Sequence, residues 1–122
     1  MHGIKSFTDL IAWQKAQVLV LEVYKASKKF PTDERFGLTN QIRRAVIAIT
    51  SNVAEGFGRN TGKDKCQFYA IAHGSTIEVH SQLFAARDLG YISDVECRRL
   101  SGLLSEVARL IGGLNKSAMD RS

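Results

Sequence analysis

The chain has few of the residues that break or staple a fold. Its 122 residues include one proline, Pro31, and two cysteines, Cys66 and Cys97. With so little proline and 44% hydrophobic residues, a low-complexity or disordered chain is excluded. The two cysteines form no CxxC pair and are too few for a disulfide framework, so they read as free thiols in a reducing compartment. Unbroken apolar stretches such as Val18–Leu21 are far short of the ~18–20 residues of a membrane span. The stretch from Met1 to Asp9 has no apolar signal-peptide core. The expectation is a cytoplasmic protein, and the lack of sorting signals fits a bacterium. No segment alternates with period two for long enough to be a strand. No run of aromatics marks a base-stacking platform.

What is present is helical periodicity, in a chain the size of one domain spanning 1–122. The first helix is expected over about 8–29, with Thr8 as N-cap, Asp9 in the first turn and Lys25, Lys28 and Lys29 near its end. Phe30-Pro31 stops it, because the residue before proline avoids the α region. The second is expected over 33–55, started by Thr32, Asp33 and Glu34. Its buried face would be Leu38, Ile42, Ala45, Val46, Ile49 and Val53, and Gly56 would close it. A glycine-rich turn, Gly56–Gly62, leads to a third helix over 63–89, ended by Gly90. Ser93 and Glu96 form a capping-box pattern at the head of a fourth, over 94–116, with a frayed tail after Lys116. Four helices with short connections make an all-α, antiparallel up-down-up-down four-helix bundle. Helix 1 is apolar almost all round, from Leu10, Ile11 and Trp13 through Val18, Leu19, Val20 and Leu21 to Val23 and Tyr24. A lone bundle buries one stripe per helix, so the surplus points to a homo-oligomer.

Tests for chemistry come back empty. A di-iron bundle needs Glu-x-x-His, and no Glu is followed by His at that spacing; Glu78-Val79-His80 splays its side chains apart. His73 and His80 have no Cys or carboxylate partner at metal-ligand spacing, so no metal site is assigned. The Gly56–Gly62 turn misses the spacing of a phosphate loop, follows a helix and has Asp64 where the metal-binding hydroxyl belongs. A phosphate at the helix 3 N-terminus, beside Arg59, Lys63 and Lys65, stays open. Ser75, His73 and Asp88 fall in no nucleophile motif, and Cys66 alone is not a site. No catalytic residue and no cofactor is expected, and the chain reads as a non-enzyme.

Two polar features remain. Gln41, Arg44, Asn52 and Glu55 share one face of helix 2, with Ser75 and Glu78 on helix 3 as candidate partners. Arg44 and Glu55 are about 16.5 Å apart along the helix and cannot pair with each other. The stripe is a structural or interface network, a solvated face, or a ligand site. The second feature is charge: 17 Lys and Arg against 12 Asp and Glu give +5. Arg43, Arg59, Lys63, Lys65, Arg98 and Arg99 are the candidates for contacting nucleic-acid phosphates.

These residues together resemble the bacterial four-helix-bundle family named after 23S rRNA intervening sequences. The matching stretches are Phe7–Ala16, Phe30-Pro31 with Glu34, Phe36–Ala45, and Ile49–Gly56 with Arg59. Helix 3 adds Phe68, Ala72, Gly74-Ser75 and Glu78, followed by Leu89-Gly90-Tyr91. The resemblance covers about residues 4–114. Ala48 stands where Ser is frequent, and Thr50 where Pro is frequent, which should leave helix 2 straighter. The resemblance implies homo-pentameric rings. It also implies a related branch that serves diversity-generating retroelements, binding nucleic acid and a reverse transcriptase. The expected role is therefore a non-enzymatic oligomer that binds nucleic acid, most simply RNA, or acts as an adaptor. The alternative is a scaffold that recruits protein without touching nucleic acid.

Overall fold

The computed structural model describes residues 3–120; the outermost ends of the expected 1–122 domain lie outside the described residues. Four α-helices account for most of the chain: α1 Ile11–Ser27, α2 Leu38–Phe57, α3 Gly62–Asp88 and α4 Asp94–Asp120. No strand occurs among the described residues.

Each helix packs against two others. The contacts run α1–α2, α2–α3, α3–α4 and α4–α1, so α1 and α3 lie diagonally, as do α2 and α4. Ion pairs show the antiparallel register of α1 and α4: Glu22 meets Arg99, and Lys15 meets Glu106 farther along. The core holds Leu19, Val23, Ile42, Ile49, Val79, Leu83, Leu100 and Ile111, all fully buried. The expected apolar face of α2 is buried from Ile42 to Val53, and Leu38 is half-buried. Burial of such side chains at about 1.5–3 kcal/mol each dominates the stabilisation.

The helix starts differ from the sequence expectation, and local hydrogen bonding explains why. Residues Phe7–Asp9 form a separate 3-10 turn closed by Ser6 and Asp9 in a reciprocal capping box, so Thr8 caps nothing. Leu10 is extended, and α1 begins after it. Thr32–Glu34 likewise form a 3-10 turn rather than the first turn of α2. There the Glu34 carboxylate accepts the Leu38 N–H at 3.1 Å and takes over the capping role.

The helix ends also shift. Gly56 lies inside α2, not beyond it, and Gly58 is the C-cap. The reason for glycine at 56 is packing: a Cβ there would stand 2.7 Å from Tyr69 Cε1 on α3. Gly90 does adopt the left-handed conformation, φ 81°, that ends α3. Ser93 caps α4 by accepting the Glu96 N–H at 3.0 Å. The expected frayed tail is helical through Asp120, because Ala118 is fully buried. At Thr50 the helix continues unbroken, its hydroxyl donating to the Ile47 carbonyl at 3.0 Å.

Candidate nucleic-acid interface

A cation can reach a phosphate only if the fold has not already used it. Arg43 sits half-buried between α1 and α2. Its Nε donates to Ser27 Oγ at 2.8 Å, its terminal nitrogen donates to the Tyr24 carbonyl at 3.3 Å, and its guanidinium lies 4.7 Å from the Tyr24 ring. It is a clamp between helices. Lys65 reaches back from α3 to the C-terminal carbonyls of α2, donating to Phe57 O at 2.7 Å and Gly56 O at 3.4 Å. Cations are favoured at that end of a helix.

Arg59 pairs with Glu55 at 2.9 Å and covers the Phe68 ring at 4.4 Å. Lys63 is exposed, with no ion pair among the described residues. The α3 N-terminus beside it is capped by Thr61, and Asp64 already places a carboxylate in its first turn. The expected phosphate position there therefore competes with the chain's own acid. The turn carries one uncommitted candidate, Lys63, where the sequence suggested a cluster of three.

Arg98 and Arg99 come together with a residue the sequence reading passed over. Arg98, Arg99, Gly102, Leu103, Ser105, Glu106 and Arg109 line a shallow open groove of about 720 Å³ along α4. Residues 98, 102, 105 and 109 recur at helical spacing on one exposed face. Arg99 is the structural wall: it meets Glu22 on α1 at 2.7 Å and Glu96 at 2.7 Å. Bonds to those two carboxylates raise its pKa, and the Arg99 partner holds Glu96 below the usual carboxylate range. Arg98 pairs with Asp94 at 3.2 Å on the surface, and Arg109 has no ion pair among the described residues. A Cβ added at Gly102 would meet nothing within 4 Å, so the groove floor is bare backbone. The signal that would have found Arg109 is its spacing of eleven residues from Arg98, three helical turns.

The polar stripe of α2 stays local. Asn52 donates to the Ala48 carbonyl at 2.8 Å, and Glu55 is taken by Arg59. Gln41 and Arg44 are exposed. On α3, Ser75 is buried, while Glu78 accepts from Gln82 Nε2 at 3.3 Å. None of the hydrogen bonds described joins the α2 stripe to Ser75 or Glu78; Asn52 and Glu78 bond within their own helices, and Glu55 bonds to Arg59 just beyond the end of α2. Among the described residues no three His, Cys, Asp or Glu stand close enough to hold a metal, and no helix is long and apolar enough to cross a membrane.

Residues 8–113 match the family described as 23S rRNA-intervening sequence protein. The chain belongs to this family. Four solved protein chains match this one. One is a protein of unknown function from the S23 ribosomal protein family of Bacteroides thetaiotaomicron VPI-5482. It is 18% identical, with a TM-score of 0.80 over 87% of this chain and 99% of its own. At that identity the likeness establishes the shared bundle fold. No curated protein matches. Several of the family-like residues turn out to hold the bundle: Glu34 with Tyr91, Gly56 against Tyr69, Arg59 on Phe68.

Proposed function

We propose that this intervening-sequence family protein is a non-enzymatic, cytoplasmic, homo-oligomeric adaptor that binds RNA through the arginine groove of α4. The observation that carries the reading is the α4 groove, with Arg98 near one end, Arg109 near the other and the bare backbone of Gly102 between them. A phosphodiester can approach closely there; Arg109 has no ion pair among the described residues, and the Glu106 carboxylate in the same groove is 3.8 Å from Lys15 Nζ. The net +5 of each chain favours the same polyanion. A ring, five-membered as the family resemblance implies, would repeat the groove around its axis, so weak contacts would sum. The bare mid-helix glycine costs the helix about 0.8–1.0 kcal/mol against alanine, which is consistent with a close-approach role.

The test is anisotropy titration of labelled single- and double-stranded RNA and DNA across a salt series. Binding at ~50 mM salt that weakens steeply with salt is expected, and Arg98→Glu/Arg109→Glu should abolish it. Absence of binding to every one of these nucleic acids would sink the reading.

The second reading, a protein-recruiting scaffold, is favoured by one observation: most of the six sequence candidates are engaged within the chain. An Arg59→Glu/Lys63→Glu/Arg109→Glu variant separates the two. A co-purifying protein partner retained by this variant supports the scaffold.

A further inference from the structure

Where α1 stops and α4 starts, the end of the bundle holds a pocket of about 400 Å³. Its floor is Ala26 and Ile92, both buried, and its outer wall is Val95, which is 68% exposed. Lys29, Tyr91, Ser93 and Glu96 complete the lining. Apolar walls with a few convergent polar groups, in a space of roughly 300–1,000 Å³, are the usual form of a recognition pocket. The lining shares no residue with the α4 groove.

The mouth of the pocket carries cations that the fold has not used. Lys25 and Lys29 are exposed, and neither has an ion pair among the described residues. The end of α1 does not need their ammonium groups: the Tyr24, Ala26 and Ser27 carbonyls already accept the backbone N–H groups of Lys28, Lys29 and Phe30. The carboxylates nearby are mostly taken. Glu96 and Glu22 both hold Arg99, and Asp94 holds Arg98. The Arg99 bond, and then the charges of Lys29 and Lys25, keep Glu96 below the usual carboxylate range, so both lysines lie within electrostatic reach of the pocket wall. Asp33 is the nearby acid with no ion pair among the described residues; behind the Glu34 bond and burial, its charge also raises Tyr91. Two cations against one acid leave the mouth positive.

The pocket suits a protein segment better than a nucleic acid. Base stacking needs an open aromatic face, and the ring in the lining, Tyr91, has its hydroxyl on Glu34 and lies against Phe30. The Glu96 carboxylate in the wall repels a phosphodiester, but its remaining lone pairs can accept a peptide N–H. The Ser93 hydroxyl accepts the Glu96 N–H and can still donate to a peptide carbonyl. We infer that the pocket docks an acidic segment of a partner protein, with one bulky aliphatic side chain resting on Ala26, Ile92 and Val95 and the segment's own carboxylates on Lys25 and Lys29. The apolar anchor supplies affinity, and the charges supply orientation. This goes beyond the RNA reading: an adaptor needs a second contact, and the pocket supplies it on separate residues.

The probe is a synthetic peptide of aspartates and glutamates around one central leucine, titrated into the isotope-labelled full chain and followed by NMR. The amide signals of Ile92, Ser93 and Val95 should move together. Exchanging the leucine for alanine should weaken binding by about tenfold. Val95→Asp, at an exposed position outside the core, and Lys25→Gln/Lys29→Gln should each weaken it by about as much, about tenfold. RNA titration of Val95→Asp should match wild type. No movement of those signals, equal affinity for the alanine peptide, or unchanged affinity in both variants overturns the inference. So does decanoate moving the signals where the peptide does not, which assigns the pocket to a free carboxylate with an aliphatic chain. Displacement of the peptide from those amides by labelled RNA overturns it too. A wild type that binds the peptide and no RNA sinks the groove reading and upholds the pocket, so the two fail separately.

Discussion

The Tyr91 hydroxyl donates a 2.7 Å hydrogen bond to Glu34 Oε2 across 57 residues of sequence. The other oxygen of the same carboxylate accepts the Leu38 N–H at the head of α2. One side chain thus caps a helix and ties the α1–α2 connection to the α3–α4 connection. The Tyr91 ring lies 5.5 Å from that of Phe30, on the same side of the joint.

This joint sets a pH dependence. The hydroxyl of Tyr91, and then the Leu38 N–H, hold Glu34 below the usual carboxylate range. The Glu34 contribution to stability is present above the unfolded value of about 4.3 and is lost as pH falls through the lower folded value. Its bond to Glu34, with burial added, pushes Tyr91 up. That contribution is present below about 10 and is lost as pH rises through the raised folded value. Tyr91→Phe should lower the urea midpoint at pH 7 with an unchanged slope and flatten the loss of stability in acid. An unchanged midpoint would show that the bond contributes nothing.

Two glycines should answer alanine in opposite ways. At Gly56 the new methyl meets the Tyr69 ring at 2.7 and 2.9 Å, so overpacking of about 1–3 kcal/mol should outweigh a helix-propensity gain of about 1 kcal/mol. At Gly102 the methyl meets open space, and Gly102→Ala should stabilise by about 0.8–1.0 kcal/mol. The same change should weaken RNA binding if phosphate approaches that backbone. Denaturation and anisotropy on both variants check the pair.

Arg43→Ala should cost about 1.5–3 kcal/mol, because it removes charge-assisted bonds to the buried Ser27 hydroxyl and the Tyr24 carbonyl. Arg43→Lys should recover only part, since one ammonium cannot copy the two-pronged guanidinium. RNA affinity of the folded variant should be unchanged, which separates this residue from the groove.

Arg109→Ala should leave stability nearly unchanged and weaken RNA binding at every sequence tested. The plot of log affinity against log salt should become shallower by about 0.7–0.9. An unaltered slope would mean that Arg109 meets no phosphate.

Much of the bundle was legible from residue order. The spacing of Ile42, Val46, Ile49 and Val53 on α2, and of Leu100, Leu104, Val107 and Ile111 on α4, marks a single buried face, and those faces form the core. The apolar excess of α1 was legible as well. The matching excess on α3 was not. Ile71, Ile77 and Phe84 face solvent there, and an outward apolar residue and a buried one on the same helix look alike until the neighbours are placed. Thr8 and Gly56 were misread for a related reason. Each fits a capping pattern, but Ser6 with Asp9 and the ring of Tyr69 decide what those positions do.

By itself, the sequence determined that this protein is four helices, roughly where each begins and ends, and that it carries excess positive charge. Those properties are local or additive, fixed by periodicity, propensity and composition. Only the tertiary structure decided which cations remain available. Arg43 and Lys65 are spent on helix joints, Arg99 joins α4 to α1, and Arg98 and Arg109 share a groove. Pairing depends on which side chains lie within a few ångströms across helices, and no spacing along one helix encodes that distance. The diagonal placement of α1 and α3 has the same origin, since it exists only once the four helices have closed around their core.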